Sequence, residues 1–469
     1  MPESQGHLRR SIGLVSGIVF VISAVIGTGV FKKVAPMSAE LQSPGLVLAA
    51  WLLAGMISLA GTLSNAEVAS MLVDSGGEYV YFRTIYNRFF AFLLGWTNFA
   101  VIRTASIASI SYVFAQSLGS LITLPATPES LSSIHLFGLQ PLDNLSVKLV
   151  AIGLVLILTL LNARGLKMGE TISRILTVAM ISTMLVIIVL GLFSATGSWA
   201  NIEQPSVNFD ADKMSGGTLA SALALACLSA FWAYEGWNNL GYIGGEIRNP
   251  QRNLPWALTI GTLIIMTIYL LMNFVYFYVL PIDDIIAVHQ SKNGIAAVVA
   301  VKHFLGNGGG LVISLLILVT TFNCTSSTIL MASRLFYAMA KDGLFFKTAN
   351  YIHPVFNTPS KALWIQGFWS SVLILSGTFD QLTDMLIFAS FIFYGATTLG
   401  VFILRRKMPD VNRPYKVIGY PIVPGLFLIF CAFLVVNTLF TRTTEAMIGL
   451  LLMATGLPFY WIWRKRATV

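Results

Sequence analysis

Apolar runs long enough to cross a lipid bilayer recur along this sequence from near its first residue to near its last. A helix of about 20 residues spans the hydrocarbon core, and it satisfies its own backbone hydrogen bonds there. Hydrophobic residues make up 56% of the chain and charged residues 10%. About twelve spans are predicted, near residues 12–34, 46–73, 88–118, 147–163, 170–194, 219–247, 254–281, 308–340, 361–377, 379–404, 418–440 and 444–463. The sequence therefore predicts an all-α integral membrane protein with one transmembrane domain, residues 1–469.

The segments between these predicted spans differ in charge. Of the 29 lysine and arginine residues, 21 fall on the side of the membrane that holds both chain ends, 7 fall on the other side, and Arg103 lies within a span. Connections rich in Lys and Arg are retained in the cytoplasm. We therefore expect a multi-pass protein of the plasma (inner) membrane, with cytoplasmic termini at residues 1–11 and 464–469.

Several other classes of function find no support in the sequence. The three cysteines, Cys227, Cys324 and Cys431, lie in apolar runs and form no CxxC pair, and the five histidines are scattered, so no metal site is expected. No phosphate-binding loop or nucleophile motif is present, so we expect neither a cofactor nor an enzyme. The net charge of +9 reflects membrane topology, and nucleic-acid binding is not expected.

Two of the predicted spans are interrupted by residues that weaken a helix. The first span contains Val25-Ile-Gly-Thr-Gly-Val30, and the sixth contains Phe231-Trp-Ala-Tyr-Glu-Gly-Trp-Asn-Asn-Leu-Gly241. Paired breaks at corresponding positions, here five spans apart, point to a transporter built from inverted repeats with its binding site at the breaks. We predict a first repeat at residues 12–194, a second repeat at 219–404 and two additional helices at 405–463.

A broken helix offers both kinds of backbone group to a ligand. Freed amides attract an anion and freed carbonyls attract a cation, so an amino acid zwitterion fits such a site. The predicted contacts are Gly27, Thr28 and Gly29 for the carboxylate, and carbonyls near Val25, Ile26, Trp232 and Ala233 for the ammonium. The alternative is that Gly27 and Gly29 are small-residue contacts between packed helices.

Five segments of the sequence resemble the L-type amino acid transporters, a family of the amino acid-polyamine-organocation superfamily. They are VIGTGVF in the first span, SNAEVASMLVDSGGEYVYF at 64–82, VIRTASIASISYVFA at 101–115, WAYEGWNNLGYIGGEIRNPQRNLPWAL at 232–258 and NRPYKVIGYPIVPGLF at 412–427. The resemblance covers most of the chain in the expected order. It implies a LeuT-type fold of 5+5 inverted repeats with discontinuous helices 1 and 6, working by alternating access.

The same resemblance implies roles for particular residues. The substrate-binding Gly-Ser-Gly motif of the family corresponds to Gly27, Thr28 and Gly29, and the aromatic residue that closes over the substrate corresponds to Trp232. Vertebrate members pair with a glycoprotein through a cysteine in the connection after the third helix. Residues 119–146 contain no cysteine, so we expect a stand-alone prokaryotic member without a disulfide-linked heavy chain.

Glu235 departs from the family pattern, because vertebrate relatives carry a small residue there. A carboxylate within the membrane is costly unless it is paired or functional. Three roles remain open: contact with a polar or cationic substrate, proton coupling, or a structural bond to Asn238, Asn239, Thr28 or Arg103. For Arg103 itself, we favour a structural network with backbone carbonyls.

Met180 is a second departure, since the family pattern carries a lysine whose ammonium is similar in role to a sodium ion. The eighth span reads Phe322-Asn-Cys-Thr-Ser-Ser-Thr328 and is rich in hydroxyl groups. A coupling-ion site for sodium near Met180, Ser326 and Ser327 is therefore one interpretation. The other is that these hydroxyls bond to carbonyls one helical turn back.

The sequence as a whole favours a secondary transporter that exchanges small or medium neutral L-amino acids by alternating access. A sodium- or proton-coupled symporter is the alternative with the same fold. An amino acid-gated channel or sensor is the alternative from a different class. Against the channel, the sequence contains no ring of charges and no repeated filter segment.

Overall fold

The computed structural model describes residues 12–72, 77–132, 141–165, 170–212, 214–291 and 293–464. The α-helices are α1 (Leu14–Val25), α2 (Gly29–Lys32), α3 (Val34–Leu41), α4 (Pro44–Met71), α5 (Glu78–Ile85), α6 (Arg88–Thr97), α7 (Arg103–Gly119), α8 (Glu129–Ser132), α9 (Leu145–Ala163), α10 (Glu170–Leu192), α11 (Trp199–Glu203), α12 (Gly216–Tyr234), α13 (Pro250–Val279), α14 (Ile282–Gln290), α15 (Ala296–Lys341), α16 (Ser360–Ser376), α17 (Phe379–Lys407), α18 (Ile422–Thr441), α19 (Thr443–Ala454) and α20 (Gly456–Arg464). A π-helical turn at Asn98–Ile102 joins α6 to α7, and 3-10 helices form at Trp237–Glu246 and Lys347–Asn350.

Ten helical segments in the described part of the chain have the length and apolarity of a membrane span. They lie in α4, α6–α7, α9, α10, α12 with the turns after it, α13, α15, α17, α18 and α19–α20. Two further predicted spans correspond to shorter helices: α1 has 12 residues, because it ends at the first break, and α16 has 17. The prediction of an all-helical, multi-pass membrane protein is confirmed over the described residues.

The connection after the seventh predicted span contains helices that the sequence analysis did not place. α14 and residues 296–305 of α15 both lie in it. α15 changes direction at Gly306, whose φ is +66°, a dihedral angle that glycine adopts without steric strain. This glycine therefore joins two helical parts at a bend, and the predicted start of the span at residue 308 falls just beyond it.

Contacts between distant residues define two sides of the helix bundle. At the end where α1 begins, Ile12 accepts a hydrogen bond from the amide of Arg248 at 2.8 Å, and Glu67 accepts two from Arg405 at 2.8 and 2.7 Å. At the other end, Lys33 pairs with Asp380 at 2.7 Å. We call the first end the basic side, since it holds most of the predicted Lys and Arg excess, and the second end the opposite side.

The two interrupted helices lie inside the bundle. α13 packs against α1 and α4, α12 packs against α3 and α4, and α15 packs against α7. The span formed by α6 and α7 is the most buried of the ten, whereas α18 and α19–α20 are among the least buried. This arrangement keeps Arg103 of α7 and Glu235 after α12 away from lipid, with exposed fractions of 6% and 9%.

Candidate functional site

The first break separates α1 from α2. α1 ends at Val25, and Ile26 has extended dihedral angles of φ −71° and ψ 94°. Helical structure resumes at Gly29. Over the described residues, the backbone amides of Gly27 and Thr28 have no hydrogen-bond acceptor. Because unpaired buried amides are rare in proteins, this break leaves two donors available to a ligand or water.

The second break follows α12 and faces the first. α12 ends at Tyr234, Glu235 is extended at φ −61° and ψ 140°, and Gly236 has a φ of +108°. A Cβ atom on Gly236 would lie 2.7 Å from the carbonyl oxygen of Ala24 in α1. Glycine is therefore required here by the backbone conformation and by the close approach of the two broken helices.

Gly29 and Gly27 have different surroundings. A Cβ on Gly29 would lie 2.3 Å from both Cα and Cβ of Ala233, so this glycine lets the second helical segment pack directly on α12. A Cβ on Gly27 would first meet Sγ of Cys324, at 3.3 Å. In this conformation Gly29 serves helix packing, as the alternative interpretation of the motif stated, whereas Gly27 faces a cavity.

This cavity between the breaks has a volume of about 20 Å³. It is lined by Ala24, Val25, Gly27, Thr28, Arg103, Ser106, Ile110, Trp232, Glu235, Gly236, Asn239, Cys324 and Thr328. The structure thus brings together five of the predicted site residues, Val25, Gly27, Thr28, Trp232 and Glu235. Ile26, Gly29 and Ala233 are adjacent in the chain but outside the lining. A cavity of this size holds about one water molecule, so the site is closed in this conformation.

Trp232 covers the cavity toward the opposite side. Its indole Nε1 donates a hydrogen bond of 2.9 Å to the Thr28 hydroxyl, and its ring meets the edge of Phe379 with centroids 6.0 Å apart. The side chain is buried. An indole needs a partner for its N–H when buried, and here that partner belongs to the other broken helix. This hydrogen bond therefore ties Trp232 of the second broken helix to the first broken helix.

The carboxylate of Glu235 is paired within the cavity. The Tyr394 hydroxyl of α17 lies 2.7 Å from Oε1 and 2.8 Å from Oε2 of Glu235. The four structural partners suggested for Glu235 from the sequence did not include this tyrosine. Tyr394 gave no signal in the sequence, because it is one aromatic residue in an apolar span and only helix packing brings it to the second break.

Arg103 lies in the same cavity wall and continues the polar contacts toward the basic side. Its guanidinium donates to the Tyr242 hydroxyl at 3.4 Å and lies 5.3 Å from the centre of the Tyr242 ring. Tyr242 in turn donates to Glu78 at 3.4 Å. The expectation of a network around Arg103 fits this arrangement, but the acceptor is a phenol and not a backbone carbonyl. Burial raises the pKa of Glu78, which lies outside the spans, to about 7.

Tyr269 of α13 is a second residue that the sequence analysis missed. Its hydroxyl lies 3.2 Å from the carbonyl oxygen of Val25 and 2.9 Å from that of Ala233. It therefore bridges the two broken helices and occupies two of the carbonyls predicted to hold a substrate ammonium. No local motif could have indicated this contact, since it joins residues 36 positions or more apart.

The residues of the predicted coupling-ion site are not brought together. Met180 lines a separate, mainly apolar groove of about 310 Å³ with Ser23, Ile26, Thr320 and Asn323. Ser326 instead accepts a hydrogen bond of 3.2 Å from Asn162 of α9, and neither Ser326 nor Ser327 lines this groove. The Thr320 hydroxyl donates to the Leu316 carbonyl one turn back. The described residues contain no group of three Asp, Glu, His or Cys side chains that could hold a metal ion.

Comparisons with known proteins relate this chain to amino acid transporters. A family model described as amino acid permease matches residues 12–460. The serine/threonine exchanger SteT of Bacillus subtilis is 32% identical over 99% of this chain and 99% of its own length. The b(0,+)-type amino acid transporter 1 of Mus musculus is 30% identical over 97% of this chain and 88% of its own, and the cystine/glutamate transporter of Homo sapiens is 29% identical over 99% and 88%.

Proposed function

This chain belongs to the amino acid permease family, and we propose that it exchanges small or medium neutral L-amino acids across the inner membrane by alternating access. The family is one of transporters, not enzymes, and the superfamily has the LeuT-type fold that the sequence predicted. The proposal assigns the substrate to the cavity between the two breaks. The repeat boundaries at 12–194 and 219–404 remain predictions.

The observation that carries this proposal is the pair of amides without a backbone acceptor at Gly27 and Thr28, two residues that line the same cavity as Glu235. Two amide donors suit a carboxylate. The substrate ammonium would lie toward the carbonyls at the second break and the Glu235 carboxylate. The carbonyl of Val25, a lining residue, already accepts from the Tyr269 hydroxyl and has a second lone pair for the ammonium.

The charges around the cavity support a neutral substrate side chain. Arg103 and Glu235 line the same wall and have opposite charges. A charged side chain bound between them would leave one of these buried groups without compensation, which is unfavourable in a low-dielectric site. Ser106, Cys324 and Thr328, which also line the cavity beside the larger Ile110 and Asn239, are small, and this suits a small or medium side chain.

The positions of the residues predicted to bind sodium favour exchange over ion coupling. Of the three residues predicted for sodium, Met180 lines the apolar groove, whereas Ser326 and Ser327 line neither that groove nor the cavity between the breaks. If no ion stabilises the broken first helix when substrate is absent, the substrate itself would supply the contacts that permit the conformational change. One relative, SteT, is named an exchanger, which supports this proposal.

The proposed orientation places the basic side in the cytoplasm, with both termini there, by the charge distribution. The opposite side, with Lys32 and Phe379, is then the outer side. Cys227, Cys324 and Cys431 are all buried and unpaired, so a heavy chain linked by a disulfide bond is not part of the proposal. L-amino acids and the lipid bilayer are the only partners it requires.

Uptake of a panel of labelled amino acids into proteoliposomes tests the proposal. Sodium outside and unlabelled amino acid inside are varied independently. We expect uptake that requires internal amino acid and is indifferent to sodium or a proton gradient. Uptake into empty vesicles driven by either gradient would establish a symporter instead. Current through the reconstituted protein would point to a channel, and binding without uptake would point to a sensor.

A further inference from the structure

A second polar cavity lies on the opposite side, apart from the cavity at the breaks. Its volume is about 320 Å³, compared with about 20 Å³ between the breaks. Small-molecule sites begin at about 300 Å³, so this cavity has room for an amino acid in the present conformation. Its polar lining includes Lys32 of α2, Tyr112 and Gln116 of α7, Asp143 and Asn144 before α9, and Asp380 of α17.

Lys32 is a buried cation in the wall of this cavity. The residue is 9% exposed, and its Nζ donates to Oε1 of Gln116, a neutral acceptor. Among the described residues, no carboxylate lies within 4.0 Å of this Nζ. An ammonium carries three donors, so Lys32 retains the capacity to bind an anionic group in the cavity.

Side-chain amides hold Lys32 in place. The Gln116 amide that binds it donates in turn to Oδ1 of Asn293 at 3.2 Å. Asn144 donates to the same oxygen at 2.7 Å and lies 3.2 Å from the hydroxyl of buried Tyr112. A cation supported by a hydrogen-bonded shell of this kind is preorganised for a ligand.

The cavity also contains negative charge. Asp380 accepts a hydrogen bond of 2.7 Å from buried Lys33, yet its side chain is 40% exposed. A carboxylate has about four lone-pair positions, so Asp380 can accept from a second donor. A cavity with a buried ammonium on one wall and an accessible carboxylate on another is complementary to a zwitterion.

The position of the cavity connects it to the gate. The Lys32 Nζ lies 4.8 Å from the centre of the Phe379 ring, and that ring meets Trp232 edge-on. Trp232 is bonded to Thr28 at the first break. Lys32, Phe379, Trp232 and Thr28 therefore form a continuous series of contacts from the polar cavity to the cavity between the breaks.

We infer that the Lys32 cavity is a second binding site for amino acid zwitterions, occupied before Phe379 and Trp232 move aside. Lys32 binds the carboxylate, and Asp380 binds the ammonium. This inference rests on the proposed function, which supplies the ligand class and places the cavity on the outer side.

The test uses protein reconstituted in one orientation and the amino acid that the uptake panel selects. The concentration of this amino acid that gives half-maximal exchange is measured separately on the external and internal faces. We expect Lys32→Met to raise the external half-saturation concentration at least tenfold and to change the internal value less than twofold. Lys32→Arg should restore most of the external affinity. Lys302→Met is the matched control, since Lys302 of α15 lies on the same predicted side, is exposed and is outside the cavity lining.

Equilibrium binding to the solubilised protein gives a second readout. We expect two molecules of the labelled amino acid per wild-type chain and one per Lys32→Met chain. If Lys32→Met does not fold, Gln116→Leu takes its place, with a rise in external half-saturation of at least threefold. One bound molecule in the wild type, or equal effects on both faces, overturns the inference while exchange itself stands. Absence of exchange in the wild type overturns the proposed function.

Discussion

The indole Nε1 of Trp232 lies 2.9 Å from the hydroxyl oxygen of Thr28, and this hydrogen bond joins the two broken helices above the cavity between them. Thr28 belongs to the first break and lines that cavity, and Trp232 belongs to the last turns of α12. A residue that covers the site is thus bonded to a residue that forms it. Loss of this bond should change how often the site opens.

Thr28→Val removes the acceptor while keeping the shape of the side chain. A neutral hydrogen bond contributes about 1 kcal/mol, so the closed state should lose roughly fivefold in population relative to the open state. The readout is the rate at which a maleimide labels Cys324, which lines the cavity, in a background with Cys227 and Cys431 replaced by alanine. Labelling should be roughly fivefold faster. Thr28→Ser keeps the hydroxyl and serves as the control. Equal labelling rates in the two variants would contradict the proposal that the Trp232–Thr28 hydrogen bond keeps the cavity closed.

Gly27→Ala tests the contribution of the amides at the first break. The new Cβ would lie 3.3 Å from Sγ of Cys324, within a cavity that holds about one water, and would obstruct a carboxylate. We expect exchange to fall roughly tenfold or more with the fold intact, since a displacement of about 1 Å can cost about 100-fold in rate. Gly153→Ala in α9 is the matched control, because a Cβ there meets nothing within 4 Å. Normal exchange by a folded Gly27→Ala variant would remove this residue from the site.

Tyr394→Phe leaves the buried Glu235 carboxylate without its hydroxyl donor. A hydrogen bond to a charged group contributes about 2 kcal/mol, so the melting temperature in detergent should fall. Tyr351→Phe, at a residue that is 39% exposed, should leave the melting temperature unchanged. If added substrate restores the melting temperature of the Tyr394→Phe variant, then the substrate donates a hydrogen bond to Glu235 in place of the tyrosine hydroxyl. An unchanged melting temperature would show that the Tyr394 bond contributes nothing to stability.

Glu78 makes the stability of the protein depend on pH near neutrality. Burial raises its pKa to about 7, so the folded protein binds a proton that the unfolded chain releases near pH 4.5. The contribution is fully present below pH 4.5 and is lost as pH rises through about 7, by roughly 3 kcal/mol at most. The decrease in melting temperature from pH 5 to pH 8 should be smaller for Glu78→Gln than for the wild type. Identical pH profiles would exclude Glu78 as the titrating group.

The interruptions illustrate what local sequence can predict. Gly27, Thr28 and Gly236 appear in the sequence as helix-weakening residues in apolar runs, and the helices end next to them. The sequence could not separate the roles of Gly27 and Gly29. Both lack a side chain, but one meets the cavity and the other meets the backbone of Ala233, and that difference depends on how α2 packs against α12.

The hydrogen-bond partners of the buried polar groups could not be predicted from the sequence, for a similar reason. Tyr269 and Tyr394 each contact the breaks or the polar residues beside them from other helices. Nothing within a few residues of these tyrosines marks them, because membrane spans contain many aromatic residues and the bilayer imposes no pairing pattern. The surroundings of the predicted ion-site residues also come from other helices, as Ser326 bonds to Asn162 of α9 and Met180 lines a groove with residues of α1.

The sequence by itself determined that this protein is a helical membrane transporter with two broken helices, because apolar length, backbone satisfaction in lipid and helix-weakening residues are local properties. Only the tertiary structure decided which groups meet at the breaks, how small the central cavity is, and that Lys32 and Asp380 share a second cavity. Those features depend on distances between side chains from helices far apart in the chain. The packing of the helices fixes these distances, and the hydrophobic pattern of the sequence constrains that packing only weakly.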